Sequence, residues 1–189
     1  MTKYLAATSV AMGLVVAGVA PSSASSWKVD SARSRISFSG TQTGEAFKGQ
    51  FTKYQATIEF DPANPDAGHA LIVIDLVGTK TGDSQRDEAL PGEDWFDVGH
   101  FSNAQFEVKK FTSKGANAYE ADGTLSIRNI SRDVILPFTL EIKDGVAHAK
   151  GHVDLMRNLF GVGQNAWATD EYVGFPVGID VDLIATPGT

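Results

Sequence analysis

Residues 133–156 read DVILPFTLEIKDGVAHAKGHVDLM. Val134, Leu136, Phe138, Leu140 and Ile142 fall on one side of a two-residue period. After Asp144-Gly145, Ala147, Ala149, Gly151, Val153 and Leu155 do the same. His148, Lys150, His152 and Asp154 take the other side. Such alternation is the signature of strands with one face in water, and Asp-Gly between them signals a tight hairpin. Strands this long, each with one apolar face, must cover that face with a second sheet or by closing on themselves.

The same pattern extends outward in both directions. Residues 118–128 alternate through Tyr119, Ala121, Gly123, Leu125 and Ile127, and residues 104–112 through Phe106 and Val108. Residues 69–78 carry Ile72, Ile74 and Leu76 on one face, with Leu71 and Val73 opposite, so cover on both sides is open there. Residues 50–61 form one long run through Tyr54, Ala56, Ile58 and Phe60, ended by Asp61-Pro62. Residues 34–40 place Ile36 and Phe38 together, and Thr41 to Gly49 reads as a turn-rich connection. Trp27 opens the folded part, Asn129 to Arg132 reads as a turn, and residues 173–185 form the last strand, through Ile179. The expectation is an all-β chain: an extended eight-stranded antiparallel barrel. Such a barrel either fills itself with side chains or holds one small ligand.

Two stretches interrupt the alternation. Residues 79–106, TKTGDSQRDEALPGEDWFDVGHFSNAQF, hold N-cap residues ahead of a short helix, a Pro-Gly break, and Trp95-Phe96 between acidic residues. This predicts one short helical excursion that plugs Trp95 and Phe96 into the barrel. Residues 157–171 form a second irregular region.

Composition narrows the function. The net charge is −7, and a leader carrying Lys3 alone would leave −8 on the remainder. That balance, without a basic cluster, argues against nucleic acid. The absence of cysteine excludes disulfides, thiolate metal sites and cysteine nucleophiles. His148 and His152 share a strand face but lie roughly 13 Å apart, too far for one ion. No nucleophile elbow, HExxH motif or phosphate loop is present, so neither metal nor catalysis is expected.

Residues 1–24 fit a secretory signal peptide: Lys3, the apolar run Leu5 to Ala20, and Ser22-Ser23-Ala24 as a cleavage site. Cleavage after Ala24 would leave residues 25–189 as one barrel domain in the periplasm or outside the cell.

Three stretches together resemble the YceI-like family of polyisoprenoid-binding, lipocalin-like proteins. They are Val29-Asp30 with SRISFSG and Phe60-Asp61-Pro62; TGDSQRDEAL with DWFD and FSNAQF; and GTLSIRNISRDVILPFTL with LMRNLFGVG. The resemblance spans residues 27–185. Trp95, Phe101-Ser102 and Asn158 depart from the usual family residues. The resemblance implies a lipocalin-like barrel whose apolar tunnel holds a long isoprenoid tail, of a polyprenyl phosphate or an isoprenoid quinone, with no cofactor and no chemistry. It also implies extracytoplasmic members, several of them made beside membrane b-type cytochromes.

The tunnel wall is then expected from Ile36, Phe38, Tyr54, Ile58, Phe60, Ile72, Ile74, Trp95, Phe96, Phe106, Leu125, Ile127, Leu136, Phe138, Leu155, Phe160 and Ile179. Arg86, Asp87 and Arg157 are the head-group candidates, with ion pairs that pin the corner as the competing role for the first two. A second reading stays open: a filled barrel acting as an accessory of a membrane b-type cytochrome or as a stress-response scaffold.

Overall fold

The computed structural model describes residues 25–188; the expected signal peptide and its cleavage site lie outside them. Eleven strands form one closed antiparallel sheet. They are β1 (Ser25–Val29), β2 (Arg35–Gln42), β3 (Glu45–Phe51), β4 (Tyr54–Phe60), β5 (His69–Asp75), β6 (Thr79–Lys80), β7 (Asn103–Gly115), β8 (Ala118–Ile127), β9 (Ile130–Lys143), β10 (Val146–Met156) and β11 (Pro176–Pro187). Among the described residues a single short α-helix, α1 (Ser84–Ala89), stands between β6 and β7.

The eleven strands make eight staves. β11 pairs with β1 over Trp27 to Val29 and with β2 over Arg35 to Ser39, so β1 and β2 are two halves of one stave. β3 continues into β4, and β5 into β6, in the same way. At these breaks Thr52 N–H donates to the Gly78 carbonyl and Asp75 N–H to the Lys53 carbonyl, so the backbone stays paired through each kink. The ring closes where β1 meets β11.

Local chemistry explains where the strands depart from expectation. Thr41 to Gly49 is not a loose connection, because β2 and β3 pair from Gln42–Glu45 onward. Only Thr43 and Gly44 turn, both at positive φ, as a two-residue hairpin whose twist matches the strands requires. The turn before β9 is Arg128-Asn129, again both at positive φ, so that strand begins earlier, at Ile130. The run 50–61 breaks at Thr52-Lys53 into β3 and β4. In β7 a register shift between Val108 and Lys110 sends Lys109 and Lys110 both outward and returns Phe111 to the core. Leu71 and Ile142 face solvent, so β5 is not covered at Leu71 and the inward face of β9 stops at Leu140.

Two apolar clusters occupy the two ends of the barrel. One gathers Leu76, Leu90, Phe96, Phe160 and Val162 beneath the excursion. The other gathers Phe60, Phe111 and Tyr119, with Trp27 and Phe138 packed against it. In the second cluster Phe60 meets Phe111 and Tyr119 edge-on at 4.9 and 5.4 Å, and Tyr119 stacks on Phe138 at 5.5 Å. Each such pair adds about 0.5–1.5 kcal/mol beyond its buried area.

Candidate functional site: an apolar cavity inside the barrel

Between the two clusters the barrel is hollow. One continuous cavity of ≈ 200 Å³ runs from Trp27, Phe60 and Phe111 to Phe96, Ile127 and Leu155. A single water needs only roughly 10–15 Å³, so the space exceeds a packing defect by more than tenfold. The void exists because β8 and β10 supply small inward residues: Ala121 from the first and Ala147, Ala149 and Gly151 from the second line it. Every lining residue is apolar. No group that could donate or take a proton faces the space, so the cavity can hold an apolar molecule and offers no acid–base or nucleophilic chemistry to it.

Of the residues expected to wall a tunnel, Ile36, Ile58, Phe60, Ile72, Ile74, Phe96, Phe106, Leu125, Ile127, Leu136, Phe138, Leu155 and Ile179 line this cavity. Four do not. Phe38 lies behind Phe51, ring centres 5.1 Å apart, and Phe51 takes its place in the lining. Tyr54, at the start of β4, is absent from the lining; its hydroxyl is buried, and that burial raises its pKa against the opposing effect of Ser34. Phe160 is buried in the end cluster rather than in the cavity. Trp95 does not reach the cavity: it packs against the end cluster that contains Phe96 and on Trp167 at 5.5 Å. Only Phe96 of the pair plugs the barrel, because adjacent side chains in this irregular segment diverge. Trp27 and Phe111 are lining residues that alternation alone does not find. The first sits at a frayed strand start, where its indole N–H donates to the Phe60 carbonyl at 3.0 Å; the second follows the bulge.

None of the three head-group candidates lines the cavity. Arg86 donates to Gln42 Oε1 at 2.9 Å and lies 4.8 Å over the Phe47 ring. Asp87 accepts from the Thr81 N–H at 2.6 Å and the Thr81 hydroxyl at 2.8 Å. The bond from that N–H is the main reason its carboxyl titrates below the ordinary carboxylate value. Together with the Asp83 N-cap, these contacts fasten α1 to the barrel rim.

Arg157 is buried, and its four hydrogen bonds all end on backbone carbonyls: Gly174, Val162, Thr169 and Val173, at 2.7–3.0 Å. It has no carboxylate in contact, and burial lowers its pKa. Its donors are spent on tying the 157–175 segment into a knot, so it is a structural residue here. Gly163 stands against the guanidinium at φ +87°, and a Cβ there would overlap Nη1. The excursion joins this knot through the Asp94 carbonyl, which accepts from Gly163 and Gln164 N–H, and through Arg128, which donates to the Glu93 and Trp95 carbonyls.

The histidines make local pairs on the outer surface. His148 meets Asp182 at 2.6 Å, and His152 meets Asp180 at 2.8 Å and Asp154 at 3.3 Å.

The described residues thus form a lipocalin-like fold: a closed eight-stave antiparallel barrel with an apolar interior. The chain belongs to the YceI-like family: the model of the YceI-like domain matches residues 27–185. It is 27% identical over 146 residues to a UPF0312 protein of Vibrio parahaemolyticus, covering 75% of this chain and 73% of that one. Among solved structures it is similar to Burkholderia cenocepacia BcnA, with a TM-score of 0.81 and 30% identity over 84% of this chain and all of the other. A polyisoprenoid binding domain from Saccharophagus degradans, implicated in plant cell wall breakdown, shares the fold at a TM-score of 0.66 and 12% identity, covering 87% of this chain and 99% of that one.

Proposed function

We propose that this protein is a carrier that holds a long-chain isoprenoid lipid, a polyprenyl phosphate or an isoprenoid quinone, with its tail in the barrel. The observation that carries the reading is the continuous cavity of ≈ 200 Å³ with a wholly apolar lining. An isoprenoid tail gains roughly 0.8 kcal/mol gross per buried CH₂, part of it offset by chain ordering. A tail needs no hydrogen bonds, which fits a wall that offers none. The family membership and the polyisoprenoid-binding relative of the same fold support the same ligand class. The protein acts by sequestration, without catalysis. With the leader removed after Ala24, it shuttles its lipid across the periplasm.

The accessory-protein reading requires a filled barrel and is not favoured by a hollow one. The test is native mass spectrometry of protein purified gently from the producing cell. An apolar adduct that organic solvent releases is expected. A ligand-free protein that also fails to take up geranylgeraniol or a short-chain quinone would overturn the carrier reading.

A further inference from the structure

The clusters around Phe96 and around Phe60 and Phe111 pack at the two ends of the cavity, and a long apolar chain needs a way past them. The wall itself is not continuous. β9 pairs with β8 from Thr139 down to Ile130, and β10 pairs with β11 down to Met156. Between β9 and β10, however, pairing stops at Phe138–Gly151. The next five positions of each strand, from Pro137 and His152 to Asp133 and Met156, face each other without a ladder.

The sequence explains the fork. The Pro137 carbonyl points toward β10, 2.9 Å from where a Cβ on Gly151 would stand. The nitrogen of the same residue faces the same way and carries no hydrogen, so it cannot donate the rung that would continue the ladder. One position before it, Gly151 pairs with Phe138 and lets β9 come close at the last rung.

The opening is also bounded at its far end. Arg132 Nε donates to the Leu159 carbonyl at 3.3 Å, and Ile130 packs against Gly161. The result is a slit of five residues, roughly 17 Å at strand rise. Its inner lips are Val134 and Leu136 on one side and Val153 and Leu155 on the other, and all four line the cavity. Its outer rim carries Ile135, Met156 and Leu159, which are 54%, 39% and 49% exposed. Apolar side chains therefore follow one another from the outer surface, between two strand edges without a ladder, to the cavity lining.

We infer that this lateral slit between β9 and β10, beyond the Pro137/Gly151 fork, is the portal through which an apolar chain enters and leaves the barrel. The inference rests on the carrier reading. A chain can thread sideways there without disturbing the Phe96 plug or the Arg157 knot, because no backbone hydrogen bond has to break.

The chain has no cysteine, so a staple can be placed cleanly. Ile135→Cys with Asp154→Cys puts two outward thiols face to face across the slit, away from the cavity lining. Linking them with a short bismaleimide should slow release of a pre-bound dansyl-labelled farnesol at least tenfold relative to the same double variant before linking, and block its uptake. As a second measurement, Leu136→Ala with Val153→Ala, which widens the slit, should speed exchange severalfold. Unchanged exchange in both the stapled and the widened protein would overturn the portal while leaving the carrier reading standing. No binding of the probe by the parent protein would overturn both.

Discussion

The guanidinium of Arg157 lies 5.4 Å from the centre of the Trp95 ring, joining the two irregular segments of an otherwise all-strand chain. Trp95 comes from the excursion after α1, and Arg157 from the segment after β10. Their contact fixes the cap that places Phe96 over the end of the cavity. Arg157→Met removes the donors for four carbonyls, two of them in buried bonds, and should cost about 2–5 kcal/mol in chemical denaturation. Arg157→Lys should lose most of the same amount, since an ammonium cannot fan out to four carbonyls.

Gly163→Ala should reproduce the Arg157 defect without touching the arginine. The new Cβ overlaps Nη1, and the backbone sits at φ +87°. Backbone strain alone is worth about 1–3 kcal/mol. Near-ultraviolet dichroism from Trp95 and Trp167, which stand 5.5 Å apart, should change in both variants.

Phe96→Ala should open the capped end. The ring is buried and packs 6.5 Å from Phe51. Its removal should destabilise the protein by about 3–5 kcal/mol. The cavity should then also reach solvent at that end, which accelerated release of a dansyl-labelled farnesol would report.

Ala149→Phe should separate binding from stability. Ala149 lines the cavity opposite Leu140 and Leu183, so the added ring enters empty space. Stability should hold or rise by about 0.5–2 kcal/mol, as cavity filling commonly gives. Occupancy by the apolar adduct should fall severalfold in native mass spectrometry.

Two titrations should act on stability with opposite signs. Asp87 is ionised more readily when folded, through the Thr81 N–H first. Its contribution is present above the ordinary value of 3.8 and is lost as pH falls through the lowered folded value. His152 is held protonated by Asp180 first, then by Asp154, so its contribution is present below 6.5 and lost as pH rises through the raised folded value. Asp87→Asn should flatten the acid limb of a urea-midpoint profile. His152→Ala should remove only a few tenths of a kcal/mol, because that side chain is half exposed, and the loss should shrink further in salt.

The alternation of apolar and polar residues over 118–142 and 146–156 was enough to define those staves and their inward faces, while a second sheet and a closed barrel both satisfied it. Strand periodicity is a local property, and one buried face fixes it. Thirteen of the seventeen expected wall residues line the cavity, twelve of them on strands for the same reason and Phe96 from the excursion. Sequence alone did not reveal the bulge that turns Phe111 inward, the way Trp95 and Phe96 diverge, or the carbonyl cage that consumes Arg157. Each depends on a partner far along the chain. Whether the barrel is hollow was likewise a matter of tertiary structure. Small residues at 121, 147, 149 and 151 leave a void only if no large side chain from an opposite stave fills it, and registers around a closed ring decide that. The break between β9 and β10 combines both levels. Pro137 is legible as a missing donor, but only the closed sheet shows that its nitrogen faces a neighbouring strand and so leaves the wall open.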